Sequence, residues 1–174
     1  ALDLLESAKD RIFVGPAFGL VHNSTREGEI AGITKEVAEE LQLFRKFDAT
    51  CATYHEIRKR GIRVVVGGDY GFAVTPMGQN ARDIEHFVTY FGYSPNEALR
   101  CATIVGAQLM GHGGELGEVK EGYLADLLLV DGNPLHDVSV MQHQASFAMI
   151  MKNGEIYKDP RSGERGQAGL IAAE

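Results

Sequence analysis

Through the first two thirds of the chain, apolar residues recur every three or four positions, the spacing of amphipathic helices that bury one face. Ser94 begins one of these segments with a start signal, since proline follows it and Glu97 stands where a capping box requires. The segment from Gly19 to Gly32 lacks the helical period and is predicted to be a long loop, either mobile or covering a site. The other helices are predicted to start at Leu2, Thr34, Asp48 and Asn80.

Short β-branched runs separate the helices and predict buried parallel strands. The first run covers Ile12 to Gly15, and the second covers Ile62 to Val66 and stops at Gly67-Gly68. We interpret the two glycines as a place where backbones approach closely, because no helix begins soon enough after them to form a phosphate site. Helices that alternate with such strands indicate an α/β fold.

The last third of the chain changes to the period of β-strands. The run from Ala125 to Val130 is predicted to be a buried strand. The run from Phe147 to Tyr157 is predicted to be a hairpin that turns at Asn153-Gly154, a favoured turn pair. From Asp159 onward all periodicity is lost, which predicts a tail.

Asp69 is the first candidate for chemistry, because it follows directly on the strand that ends at Gly67-Gly68. In β/α barrels, residues at the carboxyl ends of strands project into the active site. The alternative is a turn residue whose carboxylate accepts backbone N–H groups after Gly68. His22 in the predicted loop, and Tyr70 and Phe72 beside Asp69, are further candidates for contact with a substrate, although loop histidines are often solvated and aromatic residues often packed.

Charge and composition narrow the class of partner. The 174 residues carry a formal charge of -7 with a sequence pI near 5.4, and they contain no block rich in Lys and Arg. This balance argues against nucleic acid or an anionic membrane surface as the main partner. No apolar run approaches the roughly 20 residues of a membrane span, the start does not resemble a signal peptide, and Cys51 and Cys101 form no pairing motif. We therefore expect a cytoplasmic protein with reduced cysteines.

Three segments, taken in order, resemble the amidohydrolase superfamily. They are the strand ending in Gly67-Gly68-Asp69, the helix opening at Ser94-Pro95-Asn96-Glu97, and the stretch from Gly117 to Leu135. The nearest resemblance is to the imidazolonepropionase and Xaa-Pro-dipeptidase-like branch. It implies a (β/α)8 barrel of the TIM type, with metal at the carboxyl ends of its strands, joined to a small β-sandwich built from both ends of the polypeptide.

On this resemblance, the chain corresponds to the last two β/α units of the barrel and the C-terminal part of the sandwich. Residues 1–113 would be the C-terminal part of the metal-dependent hydrolase barrel, 114–158 the β-sandwich segment and 159–174 the tail. The run from Ile12 would be the seventh barrel strand and the run from Ile62 the eighth. The chain also opens at Ala1 with a helical period already under way, which we interpret as part of a longer polypeptide.

The same resemblance implies that Asp69 is the metal-site aspartate and proton shuttle, taking a proton from a metal-bound water that attacks a carbonyl. The family's other ligands, including a His-x-His pair, belong to strands without a counterpart here. The cofactor would be a divalent metal, zinc by expectation, as one or two ions held mostly by residues outside this chain. The expected partners are the remaining N-terminal part of the same enzyme, a small-molecule substrate and, as one option, further copies in a homo-oligomer, but neither nucleic acid nor membrane.

The implied activity is hydrolysis of a C–N bond in an amide, peptide-like, urea or carbamate substrate by the complete enzyme, with this chain inactive alone. Deamination on the same scaffold stays open, because the residues that select between these reactions would lie on other strands. The alternative from a different class is a non-catalytic α/β binding module in which Asp69 is a turn residue.

Overall fold

The computed structural model describes residues 1–159, so the predicted tail lies outside the described residues apart from Asp159. No helix in this part of the chain is long and apolar enough to cross a membrane. The helices are α1 (Leu2–Ser7), α2 (Phe18–Arg26), α3 (Lys35–Glu40), α4 (Leu43–Lys59), α5 (Arg82–Phe91), α6 (Pro95–Ala102) and α7 (Ile104–Leu109). The strands are β1 (Leu127–Val130), β2 (Phe147–Lys152) and β3 (Glu155–Lys158), and short 3-10 helices cover Gly28–Ala31, Val138–Gln142 and Gln144–Ser146.

The two predicted parallel strands lie side by side, but their pairing is short. Val14 and Val64 form an isolated parallel bridge. The Val14 N–H donates to the Arg63 carbonyl over 3.0 Å, and the Val65 N–H donates to the Val14 carbonyl over 3.0 Å. Val64 is almost fully buried, as predicted for a central strand. The described residues therefore contain two short neighbouring pieces of parallel sheet.

An aromatic cluster between α2, α4 and α5 forms the centre of the core. Phe18, Phe87 and Phe91 are essentially inaccessible to solvent, and the Phe18 and Phe91 ring centroids lie 4.7 Å apart. Burial of each such side chain stabilises the fold by about 1.5–3 kcal/mol, which makes the cluster the main attachment between these helices.

Cys51 and Cys101 are free thiols, as predicted.

The predicted loop from Gly19 to Gly32 was wrong, because most of it is helix α2 and a 3-10 turn. Glycine and polar residues suggested a loop, but this helix buries a polar face instead of an apolar one. His22 and Asn23 are 5% and 1% exposed and are held by hydrogen bonds inside the protein. The sequence signal that was overlooked is Phe18, the apolar residue that anchors the first turn.

Three helix boundaries also differ from the predictions. The break before α4 falls at Gln42, which has a left-handed φ of 55°, so α4 begins at Leu43 and Asp48 lies inside it. Asn80 is not the cap of α5, since its side chain accepts from the Gly78 N–H in the preceding turn. The single helix predicted after Ser94 is divided at Thr103, whose φ and ψ are not helical, into α6 and α7.

The C-terminal segment forms an antiparallel sheet in the order β1-β2-β3. The predicted hairpin turn is confirmed, with Asn153 and Gly154 both at positive φ, as a tight β-hairpin requires. β1 was predicted to be buried and is not. Leu128 and Leu129 follow one another in the strand and so lie on opposite faces of the sheet, and they are 53% and 56% exposed, so residues 1–159 leave both faces uncovered at these two positions.

Helix α2 and the end of the second parallel strand touch through their backbones. The Leu20 N–H donates to the Gly68 carbonyl over 2.7 Å, and a Cβ on Gly19 would stand 2.8 Å from that same oxygen. A Cβ on Gly68 would overlap the Tyr70 ring, whereas one on Gly67 would meet nothing within 4 Å. Close backbone approach, predicted for the glycine pair, is therefore confirmed for Gly68 alone.

Replacing Gly68 with alanine is expected to destabilise the chain by about 1–3 kcal/mol, since the added methyl group must displace the Tyr70 ring. Gly67→Ala is the matched control and should change the free energy of unfolding by less than about 0.5 kcal/mol. Urea unfolding of the two variants measures the difference. Equal stability of the two variants would contradict the close approach at Gly68.

The predicted capping box at α6 is present. The Ser94 N–H donates to Glu97 Oε2 over 2.7 Å, and the Glu97 N–H donates to Ser94 Oγ over 3.3 Å. Arg58 from α4 donates to both carboxylate oxygens at 3.0 and 2.9 Å. The Ser94 bonds, followed by Arg58, lower the pKa of Glu97 from its ordinary 4.5 to about 2. One carboxylate thus caps α6 and ties it to α4.

Because the pKa of Glu97 is lower in the folded state, its stabilisation is present above pH 4.5 and is lost as the pH falls toward about 2. The Glu97 side chain is 41% exposed, so solvent screening limits the effect. Glu97→Gln should lower the free energy of unfolding by about 0.5–1 kcal/mol at pH 7. Urea titrations from pH 7 to pH 2 should show the free energies of unfolding of the unchanged chain and of Glu97→Gln converging. Glu39→Gln in α3 serves as an exposed control. A constant difference across this range would reject the assignment.

Candidate active site

Asp69 lies immediately after the second parallel strand, with its carboxylate free. Its φ is 59°, the left-handed region that few residues other than glycine, asparagine and aspartate adopt. The residue is exposed, and its carboxylate accepts no hydrogen bond from any residue in the described range 1–159. The structure therefore does not show the alternative role, in which this carboxylate would accept backbone N–H groups after Gly68. An unusual backbone conformation at a strand end is a feature that active sites often share.

The loop that follows Asp69 closes on itself. The Thr75 hydroxyl donates to the Asp69 carbonyl over 2.8 Å, and the Gly71 N–H donates to the Thr75 carbonyl over 2.8 Å. The Thr75 N–H donates to the Phe72 carbonyl over 3.0 Å. These hydrogen bonds make the segment after Asp69 an ordered turn.

The two aromatic candidates beside Asp69 have different surroundings. The Tyr70 hydroxyl donates to Asp83 Oδ1 over 3.0 Å, and burial followed by the Asp83 charge raises the pKa of that hydroxyl. Phe72 is 55% exposed. Tyr70 thus contacts α5 through its polar end, whereas Phe72 presents its ring to the surface beside Asp69.

His22 lies inside the protein, facing α5, and not on a loop. Its Nδ1 lies 2.9 Å from Asn23 Oδ1, and its Nε2 lies 3.2 Å from the Tyr90 hydroxyl. Burial lowers the pKa of His22, so the neutral imidazole is favoured. A neutral ring that donates from Nδ1 and accepts at Nε2 satisfies both bonds. The sequence predicted His22 in a loop, whereas the structure buries it in α2.

His86, on α5, stacks on His22 with ring centroids 4.4 Å apart. It is 3% exposed, and neither ring nitrogen has a hydrogen-bond partner among the described residues. Its nearest charged group is Asp83, with Oδ1 at 3.5 Å from Nδ1. A cavity of about 90 Å³ adjoins both rings. A polar cavity of this size can hold ordered water, which would satisfy His86. The available sequence signal was the Asp83/His86 pair, one turn apart on the buried face of α5.

An ion pair joins α2 and α5. Arg82, at the start of α5, donates to both carboxylate oxygens of Glu27, which follows the end of α2. The bond from Arg82 lowers the pKa of Glu27. Arg82 also lies 3.4 Å from Asn23 Oδ1. The pair therefore fixes the two helices that flank the loop after Asp69.

The donor set within residues 1–159 does not complete a metal site. No group of three or more His, Cys, Asp or Glu side chains in that range could hold an ion. The stacked rings of His22 and His86 have no third ligand with them in the described part of the chain. Asp69 is a single exposed carboxylate, so this part of the chain can offer a metal one ligand at that position.

Comparison with known proteins identifies relatives with longer chains. An ochratoxinase from Aspergillus niger is 30% identical over 137 residues, which are 78% of this chain and 27% of the relative. Its crystal structure superposes with a TM-score of 0.76 at 25% identity, over 91% of this chain and 35% of that one. A protein from Bifidobacterium longum assigned as a prolidase superposes with a TM-score of 0.74 at 28% identity, over 85% of this chain and 35% of that one.

A shorter match involves a 5-methylthioadenosine/S-adenosylhomocysteine deaminase from Acetivibrio thermocellus. It is 49% identical over 39 residues, which are 22% of this chain and 9% of the relative. The chain thus spans about a third or less of the length of the relatives described here.

The structural similarities support an α/β fold of the TIM-barrel type. The Amidohydrolase family profile matches residues 26–157, three quarters of the chain, which confirms the resemblance inferred from the sequence. The chain belongs to the amidohydrolase family.

Proposed function

We propose that this chain is part of a metal-dependent amidohydrolase that hydrolyses a C–N bond in an amide or peptide-like substrate, with Asp69 as its acid–base carboxylate. The observation that carries the proposal is the exposed, unpaired carboxylate of Asp69, held at left-handed φ at the end of a parallel strand. The names of the ochratoxinase and prolidase relatives favour amide and peptide substrates over urea or carbamate.

In the proposed architecture, the run from Ile12 is the seventh strand of the barrel and the run from Ile62 is the eighth. Their parallel contact at Val14 and Val64 supports this order. The sheet of β1 to β3 would belong to the sandwich, and the exposure of Leu128 on one of its faces supports a second layer supplied by another part of the enzyme.

Members of the amidohydrolase superfamily generally use a divalent metal. Because residues 1–159 offer only Asp69 at the proposed site, the remaining ligands would come from the rest of the enzyme. We propose zinc, as one or two ions. When bound, such an ion lowers the pKa of a coordinated water from about 15.7 to about 7.

Asp69 itself would accept a proton from the attacking water and return it to the leaving nitrogen. An ionised carboxylate suits the first step because it has no donor of its own and several lone pairs free. The absence of a hydrogen bond to this carboxylate from residues 1–159 leaves those lone pairs available. Phe72, half exposed beside it, is proposed to line the substrate pocket. His22 is too deeply buried to share that role in this conformation.

Deamination is the second candidate, and one observation favours it. The short match to a deaminase has 49% identity, although it covers only 22% of this chain. The two reactions are distinguished by their products, because a deaminase releases ammonia while amide hydrolysis of a dipeptide releases two amino acids. Assays of the full-length polypeptide should therefore cover proline-containing dipeptides, other dipeptides, ochratoxin and aminopurine nucleosides.

Asp69→Asn in the full-length polypeptide should preserve the fold, because asparagine also tolerates left-handed φ, and should reduce kcat by about 100-fold or more. Asp131→Asn is the matched control, since Asp131 is an exposed aspartate after an apolar strand and before a glycine. Steady-state kinetics measure kcat, and thermal unfolding checks the fold. Near-normal turnover of Asp69→Asn would reject the acid–base role.

Metal removal tests the cofactor separately. Dialysis of the full-length polypeptide against a chelator should reduce activity to background, and Zn²⁺ should restore it. The 174-residue chain alone should retain no stoichiometric metal, because it offers one ligand at the site. Elemental analysis by mass spectrometry measures the metal per chain. Full activity in a preparation shown to be metal-free would contradict the proposed class of enzyme.

A further inference from the structure

We infer that Thr75 and Asn23 are positioning residues that hold the backbone of Asp69 in its left-handed conformation. The inference rests on the function proposed above for Asp69. Both side chains act on the backbone of the loop, and neither is proposed to contact the substrate.

Thr75 acts directly on the Asp69 peptide group. It is fully buried, and its hydroxyl donates to the Asp69 carbonyl over 2.8 Å. Its own carbonyl accepts from the Gly71 N–H over 2.8 Å, so a single residue closes the loop on both sides of Tyr70. The hydrogen bond fixes the orientation of the peptide plane after Asp69, which sets the direction of the carboxylate.

Asn23 anchors the same loop to helix α2. It is 1% exposed, and its Nδ2 donates to the Val74 carbonyl over 2.7 Å. Its Oδ1 faces His22 Nδ1 at 2.9 Å and Arg82 Nη1 at 3.4 Å, which fixes the orientation of the amide. Val74, the residue before Thr75, is therefore held by α2, the helix that follows the first parallel strand.

A third bond supports the loop from α5. The Tyr70 hydroxyl donates to Asp83 Oδ1, and Asp83 is itself 3% exposed. Tyr70, predicted to meet the substrate, thus also ties the loop to α5. The loop is held at three points, while the Asp69 carboxylate has no hydrogen bond from residues 1–159. Its placement consequently depends on the backbone, and left-handed aspartate persists where the surroundings over-determine it.

The test is Thr75→Val, which keeps the shape of the side chain and removes the hydroxyl. In the 174-residue chain, hydrogen exchange of the Gly71 amide should become about tenfold faster or more as the loop opens. In the full-length polypeptide, kcat should fall by about 10- to 100-fold with KM little changed, since the reacting carboxylate is displaced. Thr75→Ser retains the hydroxyl and should recover both values.

Thr53→Val is the matched control, because the Thr53 hydroxyl also donates to a backbone carbonyl, at 2.7 Å, but on the exposed side of α4. It should alter neither exchange nor kcat. If Thr75→Val does not fold, Asn23→Ser provides the same comparison, since the shorter side chain cannot bridge to Val74. Unchanged Gly71 exchange and kcat in the positioning variants, with Asp69→Asn inactive, would overturn this inference. An active Asp69→Asn would overturn the proposed function instead.

Discussion

The hydrogen bond from the Leu20 N–H to the Gly68 carbonyl is the contact on which the candidate site depends. It brings the first turn of α2 so close to the end of the second parallel strand that Gly19 has no space for a Cβ. Through this contact, Asn23 reaches the loop after Asp69. A larger residue at Gly19 would separate the helix from the strand and remove the anchor with it.

The elements predicted from spacing and turn chemistry were largely correct, because those signals are local. The capping box at Ser94 and the hairpin turn at Asn153-Gly154 are each specified by residues that lie within four positions of one another. Helix α2 was missed because its buried face is polar. Its hydrogen-bond partners, such as Val74 and Tyr90, lie about fifty or more positions away in the sequence. No local period can reveal such partners, since they are created by the fold.

At the candidate site, too, local features could be predicted from the sequence, whereas tertiary contacts could not. The position of Asp69 at the end of a strand could be predicted because the apolar run before it and the two glycines are visible in the sequence. The surroundings of Asp69 could not be predicted. The sequence around Thr75 and His86 carries no signal that marks either residue, and their burial is a product of the fold. Histidine stacking between α2 and α5 is a tertiary contact with no sequence period of its own.

The open three-stranded sheet has a consequence for the colloidal behaviour of this chain. Within residues 1–159, β1 and β3 are edge strands, and Leu128, Leu129 and Tyr157 are each more than half exposed. Exposed edges with apolar side chains favour self-association, which the formal charge of -7 opposes. Near the sequence pI of about 5.4 that repulsion vanishes. Handling of the isolated chain at neutral pH and low ionic strength therefore maintains electrostatic repulsion between chains whose sheets are uncovered.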